Sequence, residues 1–159
     1  MMPKICLAGK KDTIQLRDYF KKTVNDPKKF VANRIRYYLK NHFIVLAKDK
    51  EKQDKIIGHL FFQAKENPWL GVGEFEAMHV LEDYRGMGIG TLLCTKSVDY
   101  ANDYFKKYNS KMRCLYLFTR EDNTAAIKAY EKAGFKKQSL VGKIFDSNAP
   151  DEMIMVRMF

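Results

Sequence analysis

Apolar residues recur along this chain in two rhythms. Residues 4–8, 42–47, 56–64, 75–81, 112–118, 135–140 and 153–159 are short apolar or alternating runs, which predict strands. Between them, helical spacing predicts four helices. The first follows Asp12 or Thr13 as cap and carries Ile14, Leu16, Tyr19, Phe20 and Val24. The second spans residues 27–39 after the Asn25-Asp26 break, with Pro27 in its first turn. The third starts at Ile89 and presents Leu92, Leu93, the stem of Lys96, Tyr100 and Tyr104. The fourth spans 124–133, capped by Asp122 and Asn123 and ended by Gly134 in a left-handed conformation. Charged residues 48–55 predict the turn of a hairpin, and residues 67–71 a loop before the central strand. The order of these elements implies an α/β fold with a mixed sheet and helices around it.

Residues 74–93 read as strand, glycine turn and helix start in immediate succession. Glycines at 86, 88 and 90 let the backbone approach a ligand closely. The helix that follows aims its unpaired N–H groups and positive dipole end at the same place. That construction suits an anion, most often a phosphate or pyrophosphate. The dinucleotide pattern G-x-G-x-x-G fails because Thr91 stands where the third glycine belongs, and the kinase glycine loop fails with it. A P-loop fails because this loop holds no lysine. What fits is R-x-x-G-x-G, as Arg85, Gly88 and Gly90.

That hexapeptide resembles the acyl-CoA-binding signature of the GNAT superfamily of N-acetyltransferases. Residues 122–135 are similar to the late motif of the same family, in which a helix carries Asn123 and Tyr130 before the Gly134-Phe135 turn. The resemblance covers about residues 42–159, and residues 4–39 fit by element order only. It implies a GNAT-like fold: a central mixed, mostly antiparallel sheet flanked by helices and splayed between its fourth and fifth strands. The phrasing around Glu74, Glu76 and Val80-Leu81, with the Met-Ile-Met-Val close, most resembles bacterial and archaeal polyamine or diamine acetyltransferases.

Composition changes this picture little. The 159 residues make one domain, 1–159, large enough to bury a core. No apolar run approaches the roughly 18 residues of a membrane span, and the N-terminus lacks a signal-peptide core, so a cytoplasmic protein is expected. Cys6, Cys94 and Cys114 have no CxxC spacing, which suggests neither a disulfide framework nor a metal site. The net charge of +10 fits either a nucleic-acid footprint or a solvated lysine surface. The lysine pairs are scattered without a dominant block, which favours the second reading and argues against a nucleic-acid partner.

Acetyl transfer to an amine needs a held cosubstrate, a polarised carbonyl, a neutral amine and a proton for the leaving thiolate. Backbone N–H groups of Gly86, Met87, Gly88, Ile89, Gly90 and Thr91 suit the pyrophosphate, with Arg85 adding charge. The resemblance implies that the backbone of Met78, His79 and Val80 pairs with the pantetheine arm of acetyl-CoA and places the acetyl carbonyl. A lysine-like amine is only about 0.1% neutral at pH 7.4, so a base is useful. In a regular strand Glu74, Glu76, Met78 and Val80 share one face, and His79 falls on the other unless a bulge intervenes. The family has bases at positions matching either glutamate, and Glu76 is preferred over Glu74, with binding of the substrate's cation as the alternative role. By resemblance Tyr130 donates the proton to the thiolate and Asn123 bonds the pantetheine arm. Cys94 lies inside the post-loop helix with no base beside it, so direct transfer in a ternary complex is expected rather than a ping-pong route. The acceptor expected is a small polyamine. Its rivals are a protein N-terminus or lysine, and a non-catalytic CoA-binding regulatory or nucleic-acid-associated module. The resemblance also allows a homodimer.

Overall fold

The computed structural model describes residues 2–23, 28–145 and 147–159. Seven strands form one sheet in the order β1-β2-β3-β4-β5-β7-β6. They are β1 (Lys4–Leu7), β2 (Phe43–Asp49), β3 (Lys55–Ala64), β4 (Val72–Val80), β5 (Cys114–Arg120), β6 (Lys136–Val141) and β7 (Glu152–Met158). Every neighbouring pair is antiparallel except β4 with β5. The helices are α1 (Thr13–Thr23), α2 (Lys28–Asn41), α3 (Ile89–Lys106) and α4 (Thr124–Lys132). The predicted break at Asn25-Asp26, with Val24 and Pro27, lies outside the described residues.

The sheet separates two cores. On one face α1 and α2 bury Leu16, Phe20, Val31 and Ile35 against Ile44, Leu46, Ile56 and Phe61. On the other, α3 and α4 bury Leu93, Phe105, Ile127 and Tyr130 against Val45, Leu60, Phe75 and Leu117. The buried stripe of α3 is Ile89, Leu93, Cys94, Ser97, Val98, Ala101 and Phe105. It is rotated from the expected one: Lys96 is exposed, and Tyr100 and Tyr104 pack at the edge of the core. Small residues at 94, 97 and 101 let this face approach the sheet closely, and the larger aromatic side chains flank it.

Strand β2 runs two residues further than its apolar pattern suggests. Lys48 and Asp49, expected in the turn, are buried in the strand. Each has a partner: Lys48 Nζ lies 2.6 Å from Asp12 Oδ1, and the Tyr84 hydroxyl donates to Asp49 Oδ2 at 2.9 Å. Paired charges make that burial tolerable. The second contact ties the segment after β4 to the β2–β3 hairpin, beneath the glycine loop.

Two irregularities of β4 shape the site. The β4–β5 ladder ends at the pair Phe75 and Leu117, although β4 continues to Val80 and β5 to Arg120. The sheet therefore splays between its fourth and fifth strands, as the resemblance implies. Opposite β3, Leu60 pairs with Met78 but Phe62 with Phe75, so Glu76 and Ala77 together pass the single residue Phe61. This is a β-bulge, and it reverses the side-chain alternation. The expectation that Glu74, Glu76, Met78 and Val80 share a face is corrected: Met78 and Val80 pack on the α3 side, whereas Glu76 and His79 bond residues of α2 and α1.

Candidate active site

A cleft of about 690 Å³ opens where β4 and β5 part. One wall is the end of β4, with Met78, His79 and Val80. Its floor is the loop and first turn of α3, with Arg85, Gly86, Gly88, Ile89, Gly90 and Thr91. The opposite wall is the first half of α4, with Asn123, Ala125, Ala126 and Ala129. Met87 is 61% exposed and does not line it. Two helix N-termini thus converge on one space.

The loop takes this shape because Gly86 and Gly88 hold φ of +78° and +76°, a region costly for residues with a Cβ. Gly88 is the N-cap of α3 and no side chain caps that helix, so its first N–H groups are left for a ligand. At α4, by contrast, Asn123 caps its own helix, its side chain accepting from the Ala126 N–H at 3.3 Å. Arg85 Nε donates to the Val80 carbonyl at 3.1 Å, which folds the arginine over the end of β4. Arg120, Lys128 and Lys132 add further positive charge at the cleft. These three were not singled out in the sequence, although Lys128 and Lys132 stand one turn apart on one helix face. Uncapped N–H groups, an open glycine turn and a cationic lining together fit a diphosphate-bearing ligand such as CoA.

Tyr130 sits one turn beyond the cleft-lining Ala126 on α4, only 4% exposed, in the core beside Phe135. Burial, with a smaller contribution from Cys94, raises its pKa, so the phenol is protonated at neutral pH. The Cys94 thiol is itself pushed up to about 12 by burial and is no thiolate nucleophile. The carboxylates lie on the other side of the sheet. Glu74 pairs with Lys65 Nζ at 2.5 Å and accepts from the Tyr116 hydroxyl at 3.3 Å. Glu76 accepts a hydrogen bond from Tyr38. Neither glutamate lines the cleft; His79 does. The Tyr19 hydroxyl lies 3.0 Å from His79 Nδ1 and 3.2 Å from His59 Nδ1. Among the described residues there is no cluster of three or more His, Cys, Asp or Glu able to hold a metal, and no helix long and apolar enough to cross a membrane.

Comparison with known proteins places this geometry. Residues 13–135 match the model of the acetyltransferase (GNAT) family. The chain is 30% identical over 121 residues to an N-alpha-acetyltransferase of Sulfurisphaera tokodaii, a match spanning 71% of this chain and 66% of that protein, just under two thirds of its length. Among solved structures, a GNAT superfamily phosphinothricin acetyltransferase from Sinorhizobium meliloti in complex with AcCoA superposes with a TM-score of 0.78. It is 18% identical, and the superposition covers 100% of this chain and 89% of that one. A mutant of the spermidine N-acetyltransferase SpeG from Vibrio cholerae gives 0.74 at 14% identity, covering 98% and 94%. At these identities the superpositions establish the fold alone.

Proposed function

The chain belongs to the GNAT acetyltransferase family, and on that premise we propose that it transfers an acetyl group from acetyl-CoA to a primary amine. The observation carrying this reading is the convergence of an uncapped α3 N-terminus, a glycine loop and the splayed edge of β4 on one cationic cleft. In this reading the N–H groups of residues 86–91 hold the pyrophosphate. Each bond to a charged group is worth roughly 1.5–3 kcal/mol, so two or three supply useful affinity. The β4 edge past Phe75 pairs with the amide-containing arm as a further strand would, and a backbone N–H there polarises the acetyl carbonyl. Tyr130 serves as proton donor to the departing thiolate. Transfer is direct, in a ternary complex.

The leading acceptor is a small polyamine, because Glu76, bonded to Tyr38 rather than to a lysine, lies on the sheet face opposite α3 and α4, where it suits a second ammonium group, whereas Glu74 already pairs with Lys65. A peptide α-amino group is the second reading, favoured by the name of the Sulfurisphaera tokodaii relative. Free-CoA release from acetyl-CoA, measured across spermidine, spermine, diamines and short peptides, tests both. Amine-dependent turnover that falls at least about tenfold in Tyr130→Phe supports the class and the donor role. Turnover confined to peptides would replace the polyamine, and acetyl-CoA binding without turnover on any amine would refute the enzyme reading.

A further inference from the structure

We propose that the outer face of α1 and α2, with the groove between them at its centre, binds nucleic acid through the sugar–phosphate backbone without regard to base sequence. Residues 10–41 hold ten Lys or Arg against three Asp, so about a fifth of the chain carries +7 of its +10. Lysine pairs that look scattered in the sequence, at 10–11, 21–22 and 28–29, belong to one helical unit, because α1 and α2 share a core on one face of the sheet. The fold thus gathers a charge that the sequence alone suggests is merely a solvated surface. The acids of this unit do little to offset it. Asp12 is buried against Lys48, a cation from β2, and Asp18 pairs with Lys21. Asp26 lies outside the described residues. Helix α2 itself has five Lys or Arg and no acid.

A groove of about 560 Å³ opens between the two helices. Lys10 and Arg17 line it from the α1 side and Arg36 and Lys40 from α2, and its lining holds no carboxylate. All four are exposed, and among the described residues none of them forms an ion pair. The groove shares no lining residue with the cleft at the β4–β5 splay, so the two sites are separate. Folding alone gives no reason for such a lining. Like charges four residues apart, at Arg17 and Lys21 and at Arg36 and Lys40, weaken a helix, and the lysines that open α2 oppose its dipole. A phosphate backbone relieves that repulsion and gains entropy as its own counterions are released. The floor is aliphatic, with Ala8, Ala32, Ile35 and Leu39, and no aromatic ring on which a base could stack. Contacts are therefore to the backbone, which positions a strand and carries no sequence information. Exposed Lys11 and Lys22 extend the positive surface beyond the groove, which suits a polyanion charged at regular intervals.

The test is fluorescence anisotropy of a labelled single-stranded RNA of about 20 nucleotides, titrated with the full chain between about 50 and 200 mM salt. Wild type binds, and four groove cations on phosphates give log K a slope against log salt of about −3 or steeper. Arg17→Gln with Arg36→Gln flattens the slope by about 1.4 and weakens binding on the order of 50-fold at about 50 mM salt. That variant keeps the wild-type Tm and acetyl-CoA affinity, since both arginines are exposed and neither lines the cleft. Lys136→Gln with Lys137→Gln removes the same charge from β6, at the opposite edge of the sheet from β1, and stays within about threefold of wild type. A second RNA of unrelated sequence binds as the first does. No RNA binding at about 50 mM salt, no loss in the groove variant, or equal losses in the two double variants overturns the proposal. Polyglutamate that displaces the RNA at a lower concentration of charge than unlabelled RNA does overturns it in favour of an acidic protein partner. Acetyl transfer stands or falls separately, on the amine panel.

Discussion

Replacing Gly88 by alanine isolates the backbone of the glycine loop. A Cβ built there meets nothing within 4 Å, so no packing clash enters the result. What remains is the φ of +76°, a left-handed conformation that costs a residue with a Cβ about 1–2 kcal/mol. That cost can appear in either of two places. If the loop keeps its shape without ligand, the fold carries the strain. Tm then falls by about 2–4 °C per kcal/mol in a domain of this size, roughly 2–8 °C in all, with acetyl-CoA affinity unchanged. If the free loop relaxes, Tm holds and acetyl-CoA binds about 5–30-fold more weakly, since binding must restore the strained form. The sum, read as the stability of the ligand-saturated protein, is the same in both cases. Thermal melts with and without saturating acetyl-CoA, beside calorimetric titration, measure all three quantities. Gly90→Ala is the control for stability alone: its Cβ would lie 3.7 Å from Met78 Cε and 3.8 Å from Ala129 Cβ, ordinary contact distances, so the ligand-free protein should melt as wild type does. A Gly88→Ala protein that matches wild type in both melting and affinity would refute the left-handed cradle.

Other perturbations separate structural from chemical roles. Cys94→Ala should keep kcat, and native enzyme should resist alkylation at Cys94 near neutral pH, because burial holds that thiol at about 12; mass spectrometry after reagent exposure reads the result. Lys48→Met leaves the buried Asp12 carboxylate without its ion-pair partner and should destabilise by about 3–5 kcal/mol in denaturant melts. In wild type, burial alone would raise the Asp12 pKa, but hydrogen bonds from Lys48 and the Gly9 N–H outweigh it and the net shift is downward. This pair's stabilisation is therefore full above about pH 3.9, the unfolded value, and is lost as pH falls through the lower folded pKa. Lys128→Glu with Lys132→Glu, on the cleft wall, should weaken acetyl-CoA several-fold and flatten the salt dependence of its binding without changing Tm beyond about 2 °C.

Much of the fold was legible because local signals agreed. Asn123 caps α4, Gly134 ends it with φ of +89°, and each predicted strand is found within a few residues of its predicted limits. The glycine loop could be read because left-handed glycines before a helix leave a mark on the sequence itself. What escaped was set by partners distant in the chain. Lys48 and Asp49 looked like a turn until Asp12 and Tyr84 supplied their pairs. The bulge at Glu76-Ala77 has no glycine or proline to announce it, being imposed by pairing with β3, and one inserted residue moved His79 to the face of the glutamates. The contact of Tyr19 with both His59 and His79 also escaped, since it joins side chains from three separate elements.

The most direct measurement is an acetyl-CoA titration followed by amide chemical shifts. The account predicts saturable binding with the largest changes at Gly86, Gly88, Gly90 and Thr91 and along Met78, His79 and Val80. Smaller changes are expected at the start of α4, with none at Arg17 or Arg36 in the separate groove between α1 and α2. Shifts concentrated in that groove, or no binding at all, would contradict it.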